Sequence, residues 1–387
     1  MTIQAAPKVP GPATRREPPL HIAMVSPPWF ETPPEGYGGI ETVVAALVDQ
    51  LVDQGHQVTL IGAGVNGTKA TGYVPAYDRA PSERLGESIP EVVQAAVAAA
   101  AIADLDVDLV HDHTLAGPLL ARGREVPTLM TMHGPVTGEL GRYVAHLGAT
   151  VGVVAISDAQ RRLAPRLNWV ATVHNAIDVA SFPFRDSKDP FVLWLGRFNA
   201  EKGPELAIAA ARAAGRRIIL AGKRNEPGEQ LYFDQIVRPL LGADAEYVGE
   251  ADSTLKRTLL AGAECLLFPI QWEEPFGMVM VEAMACGTPV VALRRGSVPE
   301  VVSHGVTGVI VDDVGDLPGA VVAARALDPA ACRAHVQRHF DLPVLGSSYE
   351  LVYRTLLAGG AGSDAPWPTV TQRAADTVLA QRAGDSR

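Results

Sequence analysis

The chain has 387 residues, and at roughly 100–200 residues per domain that leaves room for two domains, at most three. Hydrophobic residues make up 47% and charged residues 20%, so a large core is expected and wholesale disorder is excluded. The formal net charge of −10 opposes non-specific nucleic-acid binding, which needs a positive surface against phosphates.

Residues 1–18 carry four prolines and little apolar content, and read as a flexible arm without a signal core. With only Cys265, Cys286 and Cys332 and no CxxC spacing, a reduced, cytoplasmic setting is expected. The longest uncharged window, 143–157, is shorter than the about 20 apolar residues of a membrane span, so any membrane association is peripheral.

From Leu20 onward short apolar runs alternate with helical stretches. Strands are predicted at 20–26, 57–62, 108–112, 127–133, 151–157 and 170–175, with helices over 39–55 and 87–103. Residues 63–86 and 134–150 are read as loops. The strands are apolar on both faces, which predicts a doubly wound parallel sheet. A polar stretch at 178–190 reads as an interdomain linker. The alternation then restarts, with strands at 191–196, 217–222, 245–249, 265–270, 289–293 and 308–312. A last helix is predicted at 344–359 and a flexible tail over 360–387. Two such halves place ligand sites at the C-terminal ends of their strands.

The most informative stretch is 265–293, CLLFPIQWEEPFGMVMVEAMACGTPVVAL, whose only charges are Glu273, Glu274 and Glu282. Carboxylates in so apolar a run need hydrogen-bond donors. Pro275 disfavours helix at Glu274, so a helix is predicted to begin near Phe276 or Gly277. The amides of Phe276, Gly277 and Met278 are then free at its positive end. Acids beside free amides suit a ligand rich in hydroxyls. The competing reading is a partly exposed Glu282 and a helix-start Glu274.

Arg197 and Lys202 follow the strand ending at Gly196 and precede a helix led by Pro204, an arrangement suited to a diphosphate. The competing reading is a solvated pair beside Glu201 and Glu205. Gly38 and Gly39 stand before the first helix, where backbone can approach a phosphate; a plain turn is the alternative. The GAGVNG run at 62–67 matches GxGxxG but lacks a following helical pattern, so no dinucleotide site is expected there. His133 ends a strand and either meets a sugar hydroxyl or is a satisfied core residue. His111, His113 and His174 read as core histidines. The His111–His113 pair has too few partners for a metal site.

Taken together, the EEPFGMVMVEAM segment holding Glu274 and Glu282, LGRFNAEKG, YGGIE, AISDAQ and HNAID resemble the retaining glycosyltransferases of family 4 over roughly residues 20–358. The resemblance implies the GT-B fold, two Rossmann-like domains facing across a cleft. Residues 19–180 would form the acceptor-side domain and 181–343 the nucleotide-sugar domain, with helix 344–359 crossing back to the first. It implies transfer of a hexosyl unit from a UDP- or GDP-sugar to an unknown hydroxyl acceptor, without metal or cofactor. Glu274 and the Phe276, Gly277 and Met278 amides would hold the donor sugar. Glu282 would bind the ribose, and Arg197, Lys202 and Gly39 the diphosphate. His133 would lie near the donor sugar. A nucleotide-sugar epimerase of the same fold and a catalytically silent nucleotide-sugar-binding subunit are the alternatives.

Overall fold

A computed structural model of the protein describes residues 17–36 and 38–359. The predicted arm, apart from its last two residues, and the predicted tail lie outside this range.

The first half holds β1 (His21–Val25), α1 (Gly39–Asp53), β2 (Gln57–Gly62), β3 (Gly72–Pro75), α2 (Ser88–Asp104), β4 (Leu109–Asp112), β5 (Thr128–Met132), α3 (Gly138–Leu147), β6 (Gly152–Ala155), α4 (Asp158–Leu163) and β7 (Trp169–Thr172). Its strands form one parallel sheet in the order β3-β2-β1-β4-β5-β6-β7. Strands β4, β5 and β6 are buried throughout, as expected where helices cover both faces.

The second half holds β8 (Phe191–Leu195), α5 (Pro204–Ala213), β9 (Arg217–Ala221), α6 (Pro227–Tyr232), β10 (Ala245–Tyr247), α7 (Ser253–Gly262), β11 (Leu266–Phe268), α8 (Met278–Ala285), β12 (Val290–Leu293), α9 (Val298–Val301), β13 (Gly308–Val311), α10 (Leu317–Ala324), α11 (Pro329–His339) and α12 (Leu342–Ala358). Its sheet runs β10-β9-β8-β11-β12-β13, also parallel. In each sheet the order reverses beside the first strand, between β1 and β4 and between β8 and β11. Such reversals open a crevice past the carboxyl ends of the strands.

The described structure has the two-sheet α/β architecture of the GT-B fold. Two elements depart from the sequence reading. The segment after GAGVNG, read as a loop, contains the edge strand β3, whose backbone pairs with Thr59–Gly62 of β2. The stretch 134–150, also read as a loop, contains α3. Helix α8 starts at Met278, just after the predicted point, because Gly277 caps it with φ +75°.

Segment 178–190, read as a linker, is docked on the second half. The Lys188 ammonium donates to Ala261 O, Cys286 O and Thr288 Oγ1 at 2.9–3.1 Å. The Arg333 guanidinium donates to the carbonyls of Val179, Phe182 and Ala285.

The last helix packs on the first half. Leu345, Tyr349, Val352, Tyr353 and Leu356 form a helical stripe that meets Val44, Leu47, Val48 and Leu51 of α1 in one buried cluster. The approach is close at Gly346, where a Cβ would lie 2.8 Å from Gln50 Cβ and from Gln54 Nε2. Gly346→Val is therefore expected to lower unfolding free energy by about 1–3 kcal/mol through overpacking. An unchanged midpoint in guanidinium denaturation would contradict this packing.

Candidate active site

The site is built at the two reversal points. After β8 the chain turns through Arg197 to Lys202, and after β11 through Gln271 to Gly277. The Gln271 amide donates to Glu201 O at 2.7 Å, joining the two turns. Gly203 adopts φ +59° and leaves no room for a Cβ, which would lie 2.6 Å from Pro269 O. The second turn is also held from β12: Ser297 N donates to Glu274 O, Gly296 N to Glu273 Oε2 and Ser297 Oγ to Phe276 O.

This bracing brings Lys202 onto Glu274. The ammonium bonds the Glu274 carboxylate directly, and both side chains are largely buried. The Trp272 indole N–H donates to the same carboxylate at 3.0 Å, and the ammonium lies 5.3 Å from the Trp272 ring. Glu282, inside α8, pairs with Lys256 of α7 at 2.7 Å. Arg197 pairs instead with Glu229 at 3.7 Å and Glu226 at 3.8 Å. Among the described residues the amides of Phe276, Gly277 and Met278 have no acceptor. They stand at the positive end of α8, beside Glu274.

On the first half, Gly38 ends the β1–α1 loop with φ +148°, and a Cβ there would meet Pro34 at 2.8 Å. Gly39 is exposed, with nothing within 4 Å of where its Cβ would be, so its backbone is open to a ligand. His133 follows β5. Its Nε2 shares a hydrogen bond with His113 Nδ1 at 2.9 Å. Among the described residues its Nδ1 has no partner. Burial pulls its pKa down to about 4, so the ring is neutral at pH 7. Behind it, His111 bonds Tyr353 of α12 at 2.7 Å and Thr131 at 2.8 Å, and burial lowers its pKa to about 3. His111 and His113 are thus core histidines. Among the described residues no group of His, Cys, Asp and Glu is placed to hold a metal ion.

Among the described residues no hydrogen bond or ion pair joins Gly38, Gly39 or His133 to Arg197, Lys202, Glu274 or Glu282. The halves are instead joined beside the site. Glu300 of α9 accepts from the Asp158 and Ala159 amides of α4 at 2.7 and 2.6 Å and lies 3.3 Å from His174 Nε2. Burial alone would push this carboxyl up; its His174 and amide partners hold it below the usual carboxylate range. The His174 ring also lies 5.8 Å from that of Phe276.

The chain matches two overlapping family models: Glycosyltransferase Family 4 over residues 37–195 and Glycosyl transferases group 1 over residues 180–317. It is 27% identical to the phosphatidyl-myo-inositol mannosyltransferase of Mycolicibacterium smegmatis, covering 88% of this chain and 95% of that one. Among solved structures it is similar to AviGT4, a glycosyltransferase involved in avilamycin A biosynthesis. That match has 28% identity and a TM-score of 0.65, and covers 88% of this chain and 99% of that one. It also shares the fold of Anabaena Alr3699/HepE, solved with UDP and glucose. Identity there is 18% and the TM-score 0.66, with 88% and 100% of the two chains covered. The chain belongs to the group 1, family 4 glycosyltransferases.

Sequence reasoning missed several residues of this candidate site. The donors that the acids of 265–293 require come from outside that run: Lys256 lies on another helix, and nothing local signals it. Trp272 stands two residues before Glu274 and was legible as a flat donor beside an acid. Glu41, in the YGGIE motif, is the third. It is 3% exposed, and burial pushes its carboxyl up to about 7. A carboxyl with a raised folded pKa binds more protons folded than unfolded. It therefore costs stability as pH climbs from the ordinary carboxylate range through about 7. Glu41→Gln removes that term. The variant is expected to gain stability over the parent progressively between pH 5 and 8, by about 1–3 kcal/mol. A pH-independent difference in urea midpoints would refute the buried, proton-holding carboxyl.

Proposed function

We propose that this glycosyltransferase moves a hexosyl unit, with retained anomeric configuration, from a UDP- or GDP-sugar to a hydroxyl acceptor, without a metal ion. The observation that carries the reading is the joint placement of Lys202, Glu274 and the free Phe276–Met278 amides at the β8–β11 reversal. Breaking the sugar–phosphate bond leaves negative charge on the diphosphate and positive charge at the anomeric carbon. Lys202, Arg197 and backbone amides answer the first charge. Gly39 admits the diphosphate from the other half. Arg197 would leave Glu226 and Glu229 to reach it.

Glu274 and the free amides hold the sugar hydroxyls, and Glu282 accepts from the ribose. The neutral His133 offers Nδ1 to the sugar. In a front-face step the acceptor oxygen bonds the anomeric carbon as the phosphate oxygen leaves, and that oxygen takes the acceptor's proton. Related names agree with the class: one relative is called a mannosyltransferase, and a protein of the same fold was solved with UDP and glucose.

The test is a thermal-shift panel of UDP-, GDP-, ADP- and TDP-sugars. A ligand at 100 times its Kd stabilises by about 2.7 kcal/mol. Stabilisation by UDP- or GDP-sugar is expected, and no response to any of the four would sink the reading. With the donor found, turnover is expected to be unchanged by EDTA; loss restored by a divalent ion would remove the metal-free mechanism. Among the described residues no helix is long and apolar enough to cross a membrane.

A further inference from the structure

A cavity of about 510 Å3 lies in the first half. Its walls are Trp29 from the β1–α1 loop, Val92 of α2, Leu115 and Leu119 after β4, and Leu140 and Tyr143 of α3. Small-molecule sites span about 300–1,000 Å3, so the volume suits one. Its mouth is unusually apolar: Leu85, Val92, Leu115 and Leu119 are 44–59% exposed. Large apolar side chains grouped this way mark a binding surface.

The cavity is built on loops that leave the same carboxyl edge of the first sheet as Gly38 and His133. Trp29 shares its loop with Gly38. Leu115 follows, by two residues, the His113 that bonds His133. Both loops leave the carboxyl ends of β1 and β4, the strands flanking the reversal point of the first sheet.

Its polar side chains are largely engaged within the protein. The Glu91 carboxylate accepts from the Leu115 and Ala116 amides at 3.2 and 3.3 Å and from the Trp29 side chain. The Tyr143 hydroxyl donates to Leu115 O. Glu87 is held by Arg84 at 2.9 Å. Only the Ser88 hydroxyl, among the described lining side chains, makes no such bond. A saccharide needs many donors and acceptors around its hydroxyls, and these walls offer few. No Lys or Arg lines the cavity, and Glu87 and Glu91 do, so a phosphate or an anionic lipid surface is disfavoured as well.

Resting on the glycosyltransferase reading above, we propose that this cavity holds the uncharged apolar body of the acceptor. The acceptor is then an aromatic or aliphatic alcohol rather than an oligosaccharide, with its hydroxyl directed to the site beside His133.

The experiment uses the full chain, with 2-naphthol and maltotriose as probes followed by thermal shift and tryptophan fluorescence. Val92→Glu and Leu119→Glu alter exposed side chains outside the donor machinery. Saturable binding of 2-naphthol is expected, weakened at least tenfold in both variants, while nucleotide-sugar stabilisation stays at the parent value. No saturable 2-naphthol binding, equal binding in parent and variants, or maltotriose binding that the variants abolish would each overturn the proposal. Pelleting with phosphatidylcholine vesicles that both variants abolish would assign the cavity to a bilayer and overturn it too. If 2-naphthol behaves as expected but no nucleotide sugar binds, the cavity stands and the transfer reading falls.

Discussion

Lys202→Ala is expected to lower kcat/KM by about 100- to 1,000-fold, or about 2.7–4 kcal/mol of transition-state stabilisation. The ammonium rests on Glu274 and lies beside the Trp272 ring. It is held there by a turn stitched to the β11 loop through Gln271 N and Glu201 O. That bracing fixes where the charge stands, and a fixed cation aimed at a leaving diphosphate needs little reorganisation during the step. The substitution strips Glu274 of its cation but leaves the Trp272 indole bond, so a modest fall in melting temperature is expected alongside. Lys202→Arg keeps the charge and separates the two effects. A well-folded Lys202→Ala enzyme within tenfold of the parent would show that this residue does not serve the leaving group.

Glu282→Ala is expected to raise the donor KM by about 10- to 100-fold with kcat changed only a few-fold. That matches the about 1.5–3 kcal/mol of hydrogen bonds to a charged group that acts equally in ground and transition states. The same carboxylate now pairs with Lys256, so its loss also frees a cation. Lys256→Ala is the control. If Glu282 contacts the donor, Lys256→Ala raises KM less than Glu282→Ala does. Equal effects from the two, with no further change in the double variant, would make the pair a brace between α7 and α8 and nothing more.

Most strands were readable because central strands of a parallel sheet are apolar on both faces and cannot be mistaken for a polar loop. FVLWLG at 191–196, RIILAG at 217–222 and PVVAL at 289–293 each match β8, β9 and β12 to within one residue. The edge strand β3 was not readable. GYVP is short, pairs on one side only and is half-exposed, so neither alternation nor an apolar run marks it. Helix α3 was hidden in the same way: GELGRYVAHL carries two glycines and buries only Val144 and Leu147.

The site was legible where residues share a turn and obscure where they meet across the fold. The need for donors to Glu274 and Glu282 follows from the sequence, but which lysine serves which acid is decided by how α7, α8 and the β8 loop pack. Arg197 shows the limit most clearly. Its position after β8 was readable, whereas its present partners, Glu226 and Glu229, depend on how the start of α6 folds over it.

The return of α12 to the first sheet bears on how such enzymes can be recombined. Tyr349 and Tyr353 complete hydrogen bonds to Thr131 and His111, more than two hundred positions earlier in the chain. A hybrid spliced once, near 180, would bring a foreign final helix against a resident histidine and threonine. Its buried hydroxyls would then lose their counterparts. Grafting the second half of one parent onto the other therefore requires a second junction, close to Phe340, where the outgoing and returning segments run side by side through the Ile177 N to Phe340 O bond.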